Sequence, residues 1–138
     1  MAENTKQIAV GDRLPPHVMG PINRTTLALF AGASGDHNPI HIDIEFARKS
    51  GLDDVFAHGM LSMAYLAQLL TRWVPQSQIR SWEARFTSIT PVDAVVECSG
   101  HVAEIFEVND EKRARLEITS SVQGGAVTLA GFAEVAIK

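Results

Sequence analysis

The run His58–Val74 constrains the fold more than any other stretch. Met60, Leu61, Met63, Ala64, Tyr65, Leu66, Ala67, Leu69 and Leu70 leave it almost no polar face. A helix that is apolar all round is a buried one, so this stretch is expected to run through the middle of the molecule. Ser62 and Gln68 interrupt its most apolar part, which is too short to span a bilayer. Pro75 closes the helix because it lacks an N–H. The chain then changes character. Ile79–Ile89, Ala94–Glu107, Ala114–Gln123 and Val127–Ile137 are rich in Val, Ile, Thr and Phe. Arg115-Leu116-Glu117-Ile118-Thr119 alternates with the period of a half-buried strand. Pro91-Val92-Asp93, Asn109-Asp110 and Gly124-Gly125 are turn signals between the runs, and the last pair joins a hairpin. One apolar helix followed by such strands implies an α+β fold, with an antiparallel sheet wrapped around the helix.

The first third is more broken. Met1–Gln7 reads as a frayed tail. Gly11-Asp12 marks a turn, and His17–Ile22 is a short extended piece. Asn23 suits an N-cap for a helix over Arg24–Ala33, where Leu27, Phe30 and Ala31 recur at helical spacing. Asp43 suits the cap of a second helix, Ile44–Lys49, with Phe46 and Ala47 as its buried side chains and Gly51 as its stop. Leu52–Ala57 reads as a connector. With no internal repeat or linker, residues 1–138 are expected to form one domain.

Between these helices lies Ser34-Gly35-Asp36-His37-Asn38-Pro39-Ile40-His41. Pro39 forbids a regular helix there and restricts Asn38 to extended or turn geometry. Asp36 and His41 are therefore expected to meet through a tight turn. A carboxylate and an imidazole held together can activate water. Each also has a plainer reading, Asp36 as a turn cap and His41 as a structural histidine. His37 and His41 stand four apart, as zinc ligands on a helix do. But Pro39 intervenes, no Glu follows His37 and no third ligand is evident, so no metal is expected. Ser34 lacks the G-x-S-x-G elbow of a nucleophile. No glycine-rich phosphate loop is present, so no nucleotide cofactor is indicated. A net charge of −4 without a basic run argues against nucleic-acid binding. The single Cys98 sits in a predicted strand and excludes an internal disulfide. With no apolar signal core in Met1–Gln7, a cytoplasmic protein that does not enter the membrane is expected.

Ala33–His41 resembles the signature of the MaoC-like (hydratase 2) enoyl-CoA hydratases. Ala57-His58-Gly59-Met60 resembles that family's second landmark, at the expected separation, and Phe30 suits the aromatic position before the signature. The resemblance runs from about Gly11 to the end of the chain. It implies a hot-dog fold, Asp36 and His41 as the catalytic pair, Gly59 as the oxyanion position and the helical surface beyond Gly59 as the wall of an acyl pocket. Ala67 stands where some relatives carry serine, and that role is not carried over. Gly59 also lies at a predicted helix N-terminus, where unpaired N–H groups and the helix dipole favour negative charge; its plainer reading is close helix packing. Asn38 either bonds within the loop or orients a catalytic group or the substrate. Met60 and Met63 read as core or as part of an adaptable acyl pocket, and His58 as structural. Arg72, Arg80 and Arg85 either meet coenzyme A phosphates or are solvated surface.

The expected activity is reversible hydration of trans-2-enoyl-CoA to (R)-3-hydroxyacyl-CoA, with the stereochemistry implied by the resemblance alone. The alternative is dehydration on an acyl carrier protein. Gly51-Leu52-Asp53 through Met60 also looks like the catalytic subunit of mycobacterial-type (3R)-hydroxyacyl-ACP dehydratases, which work with a second hot-dog subunit. This acidic chain shows no plain basic patch for a carrier protein. A hot-dog thioesterase relies on another acidic arrangement, and a non-catalytic partner subunit would be expected to lack the Asp36/His41 pair. Hot-dog proteins generally join sheet edges, which covers exposed strands, so a homodimer is expected by analogy.

Overall fold

The strand-rich half builds the frame. In the computed structural model, which describes residues 7–138, it forms an antiparallel sheet. Its strands are β1 (His17–Met19), β3 (Ile79–Phe86), β5 (Val96–Val108), β6 (Glu111–Val122) and β7 (Val127–Ala136), in the order β1-β5-β6-β7-β3. Two short strands, β2 (Phe56–Ala57) and β4 (Thr90–Pro91), pair separately, with Phe56 opposite Pro91 and Ala57 opposite Thr90. The expected tail lies outside the described residues except for Gln7.

The long strands follow from their alternation. Along β6, Ala114, Leu116, Ile118 and Ser120 are buried, while Glu117 between them faces solvent. The β5–β6 turn places Asn109 and Asp110 at φ 50° and 65°, the left-handed pair that a two-residue hairpin demands. The β6–β7 hairpin turns through Gly124 at φ 74°. In β5 the pairing register shifts between Val102 and Glu104, so Ala103 is an extra residue that bends the strand.

Three helices pack onto this frame: α1 (Arg24–Ser34), α2 (Ile44–Lys49) and α3 (Gly59–Trp73). Asn23 caps α1 by accepting from Thr26 N–H at 2.9 Å. Asp43 caps α2 by accepting from Glu45 and Phe46 N–H. In α3, Leu61, Tyr65, Leu66, Leu69 and Leu70 join one packed cluster with Val96, Leu116, Ile118 and Val135. Among the described residues, no helix is long and apolar enough to cross a membrane.

Three expectations need correction. The long helix is not buried all round. Met60, 58% exposed, with Ala64, Gln68 and Thr71 forms an open stripe, because the sheet curves over only one side of α3. Buried Ser62 lies within 3.4 Å of the Thr90 hydroxyl on β4. Phe46 is 42% exposed, so only Ala47 anchors α2 in the core. Finally, the connector before α3 ends in a strand; β2 has two residues, too few for any period to show.

Leu66 has no exposed surface. Leu66→Ala should therefore cost about 2–5 kcal/mol of unfolding free energy, read by urea denaturation. A loss of under about 1 kcal/mol would mean that the site collapses around the smaller side chain.

Candidate active site

The loop after α1 is a series of local hydrogen bonds. Gly35, at φ 76°, ends the helix by donating its N–H to Ala31 O. Asp36 N–H donates to Ser34 Oγ at 3.1 Å. Asn38 N–H donates to Asp36 Oδ1 at 3.2 Å, and Ile40 N–H to Asn38 Oδ1 at 3.1 Å. Asn38 thus caps the 3₁₀ turn Pro39–His41 that turns His41 inward. One Asp36 carboxylate oxygen caps the turn, as the plainer reading expected, and the other faces His41. The His41 side chain is 9% exposed and that of Asp36 52%, so the imidazole is buried and the carboxylate meets water.

His41 Nδ1 lies 2.7 Å from the Phe56 carbonyl on β2. A carbonyl only accepts, so Nδ1 carries a proton, and in the neutral ring it is Nε2 that is bare. That nitrogen lies 3.9 Å from Asp36 Oδ2, beyond direct hydrogen-bond range.

His58, at the N-cap of α3, joins the pair. It is 1% exposed, and its ring stacks on His41 with centroids 4.0 Å apart and planes 28° apart. Phe30 also meets it edge-on at 4.9 Å, which accounts for the aromatic residue before the loop. His58 Nε2 donates to the Asp36 main-chain carbonyl at 3.1 Å, leaving Nδ1 buried without a partner among the described residues. Burial, first of all, holds the His58 pKa below the usual histidine range; a charged His41 would push the same way, while the Asp36 bond opposes it. Its place in this cluster was not legible in the sequence. The only signal was its position between Ala57 and Gly59 at a helix start.

Gly59 is the first residue of α3, where an N–H has no carbonyl one turn back. A Cβ there would lie 2.8 Å from the Phe86 ring, so Gly59 serves close packing whatever else it does. Beside it opens a cleft of about 320 Å³, with Phe56, Ala57, Phe86, Ile89 and Leu129 among its walls.

Asp36, His41 and His58 each bring a possible ligand atom within 4.8 Å of the others, so this trio is the one candidate metal cluster among the described residues. Each imidazole already donates through one nitrogen, and stacked rings aim their remaining lone pairs along near-parallel planes instead of at one point. His37 is exposed and outside the trio. Cys98 is buried in β5 and its thiol is pushed up to about 11 by burial, which makes it a packing group. Arg72 donates to His17 Nδ1 at 2.7 Å. Arg80 grips Glu111 at 2.8 and 2.9 Å, and Arg80 and Arg113 together hold that carboxyl down to about 2. All three arginines are exposed, as expected of solvated surface, and Arg72 and Arg80 are in addition tied to His17 and Glu111.

The model for the MaoC like domain matches residues 5–125. The chain belongs to the MaoC-like family. It is 30% identical over 118 residues to the 3-hydroxybutyryl-CoA dehydratase of Methylorubrum extorquens, covering 84% of this chain and 73% of that one. It is 28% identical over 136 residues to the fatty acid synthase subunit beta of Saccharomyces cerevisiae; the match takes in 96% of this chain but only 6% of that much longer protein. Its fold superposes on the (R)-hydratase from A. caviae involved in PHA biosynthesis with a TM-score of 0.83, at 25% identity over 96% of this chain and 99% of that one. The fold is thus the hot-dog fold, and relatives of this chain include proteins named as a 3-hydroxybutyryl-CoA dehydratase and an (R)-specific enoyl-CoA hydratase.

Because the folded His58 binds a proton less readily than an ordinary histidine, the unfolded chain takes up a proton that the fold refuses. The stability from neutral His58 is complete above about pH 6.5 and declines as the pH falls from there to the folded pKa. A ¹⁵N titration should find His58 taking up its second proton at lower pH than an ordinary histidine, with the proton of the neutral ring on Nε2. A His58 that titrates above an ordinary histidine would contradict the assignment.

Proposed function

We propose that this chain, acting as one domain over residues 1–138, interconverts trans-2-enoyl-CoA and (R)-3-hydroxyacyl-CoA, with Asp36 and His41 activating the water. The observation that carries this reading is the 3.9 Å gap between His41 Nε2 and Asp36 Oδ2, with His41 Nδ1 already committed to Phe56 O. A water oxygen about 2.8 Å from both atoms spans that gap, subtending roughly 90° between them, so both hydrogen bonds form with a modest bend. His41 Nε2 takes one proton as the oxygen bonds to C3 of the enoyl group. The π electrons move through C2 onto the thioester oxygen. C2 then takes a proton from the pair, by way of Asp36, and the thioester carbonyl re-forms. Water is thereby added across the double bond, and the reverse sequence removes it. Positioned acid–base groups of this kind contribute about 10²–10⁴-fold.

Gly59 N–H, at the positive end of α3, is the group assigned to the developing oxyanion. The apolar cleft beside it suits the acyl chain. Asn38 acts through the loop, by holding the turn that carries His41. The names of the dehydratase and (R)-hydratase relatives support both the thioester substrate and the (R) product. The match of nearly the whole chain to a segment of a fatty acid synthase subunit favours a second reading, dehydration of a carrier-bound 3-hydroxyacyl group.

With crotonyl-CoA, loss of the conjugated enoyl-thioester absorbance should be fast for the wild type. It should fall by about 10²-fold or more in Asp36→Asn and in His41→Ala. Activity surviving both substitutions would place the chemistry elsewhere. A folded wild type inert toward crotonyl-CoA but active on a 3-hydroxyacyl carrier protein would favour the second reading.

The proposal includes a homodimer joined along β3, which pairs only with β7 among the described residues and leaves its other edge open. Sedimentation should give twice the 15.0 kDa of one chain. A mass of one chain at micromolar concentration would rule out a stable dimer.

A further inference from the structure

The proposed chemistry gives tasks to Asp36, His41 and Gly59 and leaves His58 without one. Packing alone is a poor reason for an imidazole here. A phenyl ring would fill the same buried space beside Phe30 and avoid the unpartnered Nδ1, and a buried acceptor without a donor weighs against stability. What an imidazole does here, and a phenyl ring cannot, is donate from Nε2 to the Asp36 carbonyl while lying flat on His41. One side chain thus touches both members of the pair, the first through its backbone and the second through its ring face.

We propose that His58 is a positioning residue that sets the Asp36-to-His41 geometry. Its N–H fixes the peptide from which the Asp36 carboxylate hangs. Its ring fixes the plane in which His41 turns, so that Nε2 stays aimed at Asp36. His58 itself exchanges no proton with substrate: its Nε2 proton is engaged by the Asp36 carbonyl, and burial disfavours a second proton on the ring. This inference rests on the hydratase reading above.

The two contacts can be removed separately. His58→Phe keeps a ring on His41 but loses the donor. His58→Gln keeps an N–H at about the reach of Nε2 but loses the ring. His58→Ala loses both. All three should fold, with His58→Phe melting within a few degrees of the wild type. In enoyl-CoA hydration, kcat should fall by about 10²-fold in His58→Ala, as misplacing reacting groups by an ångström does, while KM changes little. His58→Phe and His58→Gln should each restore part of the loss. A His58→Ala enzyme with wild-type kcat per folded molecule would overturn the proposal, as would losses that merely track melting temperature.

A second readout does not depend on turnover. In the wild type, ¹⁵N shifts should report His41 locked with its proton on Nδ1. In His58→Ala they should report a mixture of the two tautomers. A locked His41 in His58→Ala would defeat the positioning role even if no substrate had been found. A wild type that hydrates no enoyl thioester, but whose His41 unlocks in the variant, would overturn the reaction assignment and leave the positioning role standing.

Discussion

The packing of α3 against the sheet is the constraint from which the rest follows. A sheet can cover only one side of a helix, and here that side carries Leu61, Tyr65, Leu66, Leu69 and Leu70. Burial of apolar surface on this scale is the main force in folding, and interiors packed to crystal-like density resist small shifts. The first turn of α3 is therefore a fixed point. His58 and Gly59 sit on it, β2 leads directly into it, and the β2–β4 pair ties it to the chain beyond β3. A reactive loop placed against that point inherits its rigidity.

The loop from Ser34 to His41 then needs little more than two main-chain carbonyls to become a site. Phe56 O receives the Nδ1 proton of His41, and Asp36 O receives the Nε2 proton of His58. The two stacked rings are thus held in opposite tautomers by acceptors that cannot themselves titrate. Backbone groups are well suited to this task, because their position is set by secondary structure and not by a side-chain rotamer. The Asp36 carboxylate stands at the water edge and the His41 imidazole behind it, so water can reach the carboxylate while the imidazole stays in a medium of low polarisability, where electrostatic interactions are stronger.

Much of this was legible because local chemistry and tertiary packing agree. Asn23 and Asp43 cap the helices that they were expected to cap, and Gly35 and Gly51 end them in left-handed conformations. The alternation in β6 and the turn pair Asn109-Asp110 carried the sheet. The misses share a different cause. The open side of α3 was hidden because Met60 and Ala64 are apolar yet exposed, and composition says nothing about how far a sheet wraps. β2 was too short to show a period. At the site, the spacing around Pro39 announced a turn that joins Asp36 and His41, but the stack of His58 on His41 joins residues 17 apart in the chain. Only the packed structure brings them together. The orientation of the imidazoles is likewise a property of Phe56 O and Asp36 O, and no side-chain pattern reports a carbonyl.

The cleft beside Gly59 and the stacked imidazoles have different linings. Phe56, Ala57 and Gly59 wall the cleft from β2 and the start of α3, and Phe86, Ile89 and Leu129 wall it from the strand side, while Asp36, His41 and His58 are not among its walls. The strand-side walls hold none of the hydrogen bonds that orient the imidazoles. Substitution at Phe86, Ile89 or Leu129 therefore reshapes the cleft without touching the bonds that orient His41 and His58. The shape of the cavity and the orientation of the rings are thus free to drift independently.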